Sequence, residues 1–174
     1  MTMNLEILKW TPVSGEFEEK HFGVTDPNPM WIKFCPTDSA NWTGSFASGE
    51  IGLINEKIVE IDKTSKIGIL TNGAFYLIDK DSKDLLLNPR NGYFTDFEIL
   101  LEENLVFLAT NWGIYIFKDN TLIKEIRPDF IDGIRFTKRT ENLIIGEIYE
   151  PGIDWSEFEL NTQTLKFKWG KYEL

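Results

Sequence analysis

Cysteine and histidine are almost missing from this chain: its 174 residues include one of each, Cys35 and His21. A single thiol cannot close an intramolecular disulfide, so a reducing, cytoplasmic setting is expected. A zinc site built mainly from His and Cys is not available within one chain, and no metal or cofactor is expected. Neither residue lies in a recognised thiol–imidazole signature, and Cys35 beside Phe34 reads as a small buried hydrophobe. A Ser-His-Asp arrangement would also have to use His21, and the chain has no G-x-S-x-G elbow.

Long apolar runs are missing too. No window approaches the ~18 apolar residues of a membrane span, and the first ten residues, with Glu6 among them, lack a signal-peptide core. No membrane association is expected. There is no G-x-x-x-x-G-K-[ST] loop and no G-x-G-x-x-G after a strand, so those routes to nucleotide binding are absent. The acidic run 79–84 lacks the glycine and terminal glutamate of an EF-hand loop and reads as a polar hairpin turn. No stretch sustains a 3.6-residue apolar period over three turns, so helix is expected to be minor.

Acids outnumber bases, 28 to 18, for a net charge of −10. That balance disfavours nucleic-acid backbones and suits a basic protein partner. The one basic cluster, Arg127, Arg135, Lys138 and Arg139, is interrupted by Asp129 and Asp132 and reads as a solvated edge. The chain is 42% hydrophobic and 14% aromatic. It can therefore fill a sizeable core, and its aromatic residues favour sheet.

The clearest pattern lies at 104–126. Residues 105–109 and 114–117 are almost unbroken apolar runs, too short for helices. Asn111-Trp112-Gly113 and Asp119-Asn120 between them are turn formers that tolerate positive φ. Residues 121–126 mix Leu122, Ile123 and Ile126 with Lys124 and Glu125, as a strand nearer solvent would. Similar segments fall at 57–61, 67–71, 74–79 and 84–87, and again at 133–137, 143–148, 155–160 and 164–169, with turns at 62–66, 72–73 and 88–92. Asn104-Leu105-Val106 matches Asn142-Leu143-Ile144, and Thr71-Asn72 matches Thr110-Asn111, which sets a period of about 40 residues. Four strands per 40-residue repeat is the signature of propeller blades.

The expected fold is all-β, an antiparallel meander of repeated four-strand units, propeller-like; a β-sandwich or barrel is the alternative. One domain over 1–174 is expected, with units at about 51–88, 93–126 and 133–169 behind an irregular part at 1–50. In that first part, Leu5, Ile7 and Leu8 fit an edge strand or a helical turn, 16–20 reads as a surface turn of helix, and 31–34 reads as a strand. Glycine within 42–49, where aromatics alternate with small residues, marks a bulge or close backbone approach.

Several segments together resemble an uncharacterised family of small single-domain bacterial all-β proteins. They are Trp42-x-Gly44-x-Phe46-x-x-Gly49, Tyr76-Leu77-Ile78-Asp79, Asp132-Gly133-Ile134, and Trp155-x-x-Phe158-x-Leu160-Asn161-x-x-Thr164 with Gly170-x-Tyr172. The family's usual acid is Asn161 here, its Gly after Thr is Leu165, and the first of a Gly pair is Trp169. The resemblance implies a single β domain and carries no catalytic residues.

Two sets of candidate residues remain. Trp112 and Trp155 stand at or near turns, where an aromatic side chain serves as a binding anchor or plugs the end of a sheet. Asp154, Glu157 and Glu159 cluster beside Trp155 and are the candidate catalytic carboxylates, although i, i+2 acids on a strand commonly form its solvent face. The expected function is a non-catalytic binding protein, with an immunity-type protein masking a basic partner as its specific form. A carbohydrate-active or other hydrolytic enzyme using a carboxylate pair is the alternative.

Overall fold

The structure is a computed structural model and describes residues 4–36, 39–49, 55–61, 63–90, 93–170 and 172–173. The expected repeat start at 51–54, with Asp62 and Asn91-Gly92 of the expected turns, lies outside them. Among the described residues there is no helix, hence none long and apolar enough to cross a membrane. The chain divides into two compact units, Met1–Gly92 and Tyr93–Leu174.

The first unit holds two four-stranded sheets. One contains β1 (Asn4–Leu8), β2 (Glu18–Phe22), β3 (Met30–Cys35) and β4 (Trp42–Phe46), in the order β1-β3-β4-β2. The other is the meander β5 (Glu56–Glu60), β6 (Lys66–Thr71), β7 (Ala74–Asp79) and β8 (Asp84–Leu87). Their shared core is aromatic: Phe34 stacks on Trp42 at 4.0 Å, Phe22 stacks on Phe46 at 4.8 Å, and Tyr76 meets Phe46 edge-on. Gly44 makes room for these rings, since a Cβ there would lie 2.8 Å from Phe46 and 3.2 Å from Phe34. The close approach expected of this glycine is thus to side chains.

Two expectations for the first part are corrected. Residues 16–20 are not a turn of helix: from Glu18 the chain is strand β2, pairing parallel with β4 in the register Glu18↔Trp42 to Phe22↔Phe46. Ladder hydrogen bonds to a strand 24 residues away, and burial of Phe22, outweigh the local helix-like charge pattern. Cys35 is partly exposed at the end of β3 rather than buried.

The second unit also has two sheets. The meander β9 (Phe94–Leu100), β10 (Leu105–Thr110), β11 (Ile114–Lys118), β12 (Thr121–Ile126) is followed by β13 (Ile134–Arg139), β14 (Leu143–Glu150), β15 (Asp154–Asn161), β16 (Phe167–Trp169) and the short β17 (Tyr172–Glu173). Asp119 and Asn120 both take positive φ, 46° and 65°, closing β11–β12 as the sequence requires. β10 is buried throughout.

The first strands of the two sheets lie side by side. Thr95 donates to the Ile134 carbonyl (3.2 Å), the Phe136 N–H to Asp96 (2.8 Å), and Arg139 to the Ile99 carbonyl (2.7 Å). These partners stand 39, 40 and 40 residues apart, so the period read in the sequence is a physical spacing between neighbouring strands. The core between the sheets includes Phe107, Ile116, Ile144, Phe158 and Phe167, all fully buried. The fold is all-β, made of repeated four-stranded, blade-like units.

Candidate functional site

Antiparallel pairing puts the start of β9, the end of β10, the start of β11 and the end of β12 at one end of their sheet. The second sheet places the start of β13, the end of β14 and the start of β15 at its matching end. Tyr93, Trp112, Phe130, Ile153 and Trp155 all emerge there, each exposed; Trp112 is 54%, Phe130 91% and Ile153 70% accessible. The structure therefore brings Trp112 and Trp155 to the same end of one unit.

Trp112 sits on a turn whose hydrogen bonds are made by backbone groups, its own N–H among them, and by the Thr110 hydroxyl. The Thr110 hydroxyl oxygen accepts from the N–H groups of Trp112 (3.1 Å) and Gly113 (3.0 Å), and the Thr110 N–H donates to the Gly113 carbonyl (2.9 Å). Gly113 is required because a Cβ would lie 2.5 Å from the Ile126 carbonyl oxygen. In the first unit Asn72-Gly73 links Thr71 to Ala74 as Asn111-Trp112 links Thr110 to Gly113, so Trp112 stands where the first unit has Gly73. Asn72 and Gly73 take positive φ (43° and 86°) whereas Asn111 and Trp112 do not, so the two turns differ in backbone; the Trp112 side chain is half exposed and touches Tyr93 edge-on at 6.0 Å.

Trp155 is more firmly held. It tilts against Tyr149 at 5.5 Å, lies over Gly133, and carries the Arg135 guanidinium 4.2 Å above its ring. Arg135 is also paired with Glu147. Between the two tryptophans, the connection from β12 to β13 lifts Phe130 outward at φ 59°. It is pinned by the Asp132 N–H on the Tyr149 carbonyl and the Tyr149 N–H on the Gly133 carbonyl, both 2.9 Å.

The charges around this end are mostly acidic: Asp129, Asp132 and Asp154 are exposed and Glu150 is half-buried. Arg127 is engaged by Glu125 and by the Tyr115 hydroxyl, at 3.0 Å from the latter, and these two partners raise its pKa above the ordinary arginine value, Glu125 first. Burial pushes the Tyr115 phenol up; its hydrogen bond with Glu125 adds to that and Arg127 opposes it.

The three candidate carboxylates do not converge. Glu157 and Glu159 alternate with buried Phe158 and Leu160 and face solvent, Glu157 opposite Glu147 and Glu159 opposite Lys168. Asp154 accepts the N–H of Trp155 (2.9 Å) at a φ of 109°, a conformation residues with a Cβ rarely adopt.

A second site escaped the sequence altogether. Trp31, Ser45 and His21 are register neighbours across β3, β4 and β2, and all three line a cavity of about 460 Å³ in the first unit. Ser45 Oγ lies 2.7 Å from His21 Nδ1, and His21 Nε2 lies 3.7 Å from Glu19. That outer distance is too long for a hydrogen bond, so Glu19 does not orient the histidine as the acid of a nucleophile–base–acid relay would.

No family model and no curated protein matches the chain. Among solved structures it is similar to the WD40 domain of SCAP from fission yeast, at a TM-score of 0.44 and 9% identity, covering 96% of this chain and 48% of that one. The chain spans about half the length of that domain.

Proposed function

We propose that this chain is a non-catalytic protein-binding protein that docks a basic partner on the aromatic end of its second unit. The observation that carries this reading is Trp112, an exposed tryptophan on a turn where the first unit has a glycine, Gly73. A side chain that makes none of the turn's hydrogen bonds, at the same end of the unit as exposed Phe130, Ile153 and Trp155, has the make-up of a hot spot: rigid aromatic area at low entropic cost. Acids at Asp129, Asp132, Glu150 and Asp154, and a net charge of −10, favour a partner with lysine or arginine around an apolar contact. Masking such a partner in an immunity-type role is the specific form of this reading. A cytoplasmic setting accords with the free thiol of Cys35.

The test uses the full chain as bait against the products of adjacent genes, at low and raised salt. The expected result is a basic protein whose association weakens with salt. Trp112→Ala should reduce its affinity by about 30-fold or more while leaving the melting temperature of the bait unchanged. Neutralisation of that partner's toxicity on co-expression tests the masking role. Binding that is indifferent to Trp112→Ala and to Phe130→Ala refutes the proposed surface.

A further inference from the structure

We propose that the first unit binds a neutral, hydroxyl-rich small molecule of the saccharide class in the cavity beside β2, β3 and β4. At about 460 Å³ the cavity falls within the range of small-molecule sites. Its rim is built in advance. Asp26 ties the loop after β2 to the end of β4, accepting the N–H of Ser48 at 2.6 Å and that of Asn28 at 2.8 Å. Burial alone would raise the Asp26 pKa, and these hydrogen bonds, with the Ser48 hydroxyl, hold its carboxyl below the usual range. Pro27 and Pro29 stiffen the same loop. Gly23 lets it pass under Tyr76, because a Cβ there would lie 2.5 Å from the Tyr76 hydroxyl.

The indication of a ligand is Trp31. It lines the cavity at 8% exposure, and its indole N–H is buried with no hydrogen-bond partner among the described residues. Buried donors in native proteins nearly always have an acceptor, and an indole nitrogen can only donate. Its neighbours narrow the choice of group that supplies one. Ser45 and His21, bonded to each other at 2.7 Å, offer donor and acceptor capacity together, and Thr25 adds a hydroxyl. Asp26 on the wall, Glu19 beside His21 and the chain's net charge disfavour an anion. An ammonium ligand carries no acceptor and leaves Trp31 unpaired. A hydroxyl both accepts and donates, and the apolar walls of Phe22 and Val24 suit the C–H face of a sugar ring.

The test is a titration of the intact chain with glucose, galactose, N-acetylglucosamine and maltose, with acetate and arginine as charged comparators, followed by NMR. One sugar should bind saturably and slow solvent exchange of the Trp31 indole proton. Trp31→Phe, which keeps an aromatic wall and removes the donor, should weaken that binding by about tenfold. Ser45→Ala serves as the second variant if Trp31→Phe does not fold, with a similar loss expected. No saturable binding by any of the four sugars overturns the proposal, as does tighter binding of acetate or arginine, or sugar binding unaffected by both substitutions.

Discussion

Replacing Tyr76 with phenylalanine isolates one hydroxyl in the core of the first unit. Tyr76 is fully buried on β7, opposite Ile69, and its O–H donates to the Ala47 carbonyl at 2.8 Å. Phe keeps the ring and its edge contact with Phe46 but leaves that carbonyl without its phenolic donor. An unmade buried hydrogen bond costs about 1–3 kcal/mol, so Tyr76→Phe should be less stable than the parent by that amount at pH 7. The pH dependence makes the test specific. Burial first, and then the Asp26 charge, push the Tyr76 pKa from 10.0 to about 12. The folded state thus holds a proton that the unfolded chain releases near pH 10. The associated stability is fully present below pH 10 and is lost as pH rises toward 12, on the order of 2–3 kcal/mol. All other groups are common to both proteins, so the informative quantity is the difference between them. Urea denaturation followed by tryptophan fluorescence, from pH 7 to 12, should show the two stabilities converging above pH 10. Parallel curves across that range would mean that Tyr76 is not held as a buried, proton-retaining donor.

Two further outcomes test other parts of the fold. Gly146→Ala puts a Cβ 2.4 Å from both the Arg135 carbonyl oxygen and the Phe158 ring in the middle of β14, and should cost about 3 kcal/mol in chemical denaturation; a neutral result would show that β13–β15 pack differently. Asp79 organises the β7–β8 turn by accepting from the Ser65 hydroxyl at 2.5 Å and from the N–H groups of Asp81 and Ser82 at 3.0 Å; burial would raise its pKa but these bonds lower it below 3.8. Its contribution is present above pH 4 and lost as pH falls through the lowered value, so Asp79→Asn should cost about 1 kcal/mol at pH 7, with the gap closing below pH 4 in acid melts.

Most of the strands were legible because each meander is local. In 104–126 every strand pairs with its neighbour in sequence, so turn chemistry and apolar runs carry the information together. β12 begins and ends where its composition says, and the sheets β5–β8 and β9–β12 fall within the stretches 51–88 and 93–126 expected as units. The first sheet is different. β2 pairs in parallel with β4 and skips β3, so neither its partner nor its exposed side is encoded nearby. Glu18, Glu19 and Lys20 then look like a solvated helix turn, when what fixes them is a non-local ladder. The same non-locality hid the cavity. Trp31, Ser45 and His21 belong to three strands in an order other than that of the chain, and no spacing rule brings them together.

The two tryptophans picked out in the sequence also separate in kind. Trp155 fits into its surroundings: Gly133 beneath it, Arg135 above and Tyr149 alongside account for part of its surface, so a structural role explains much of its presence. Trp112 is held less: it is 54% exposed and meets Tyr93 edge-on. The turns 72–73 and 111–112 join the second and third strands of their meanders with equal length, and Trp112 stands where the first copy has Gly73. An exposed indole in place of a glycine, with only its backbone N–H in the turn's hydrogen bonds, adds apolar surface that the turn itself does not use. In a repeat architecture the loops are where copies differ while their strands stay alike, and Trp112 is one such difference.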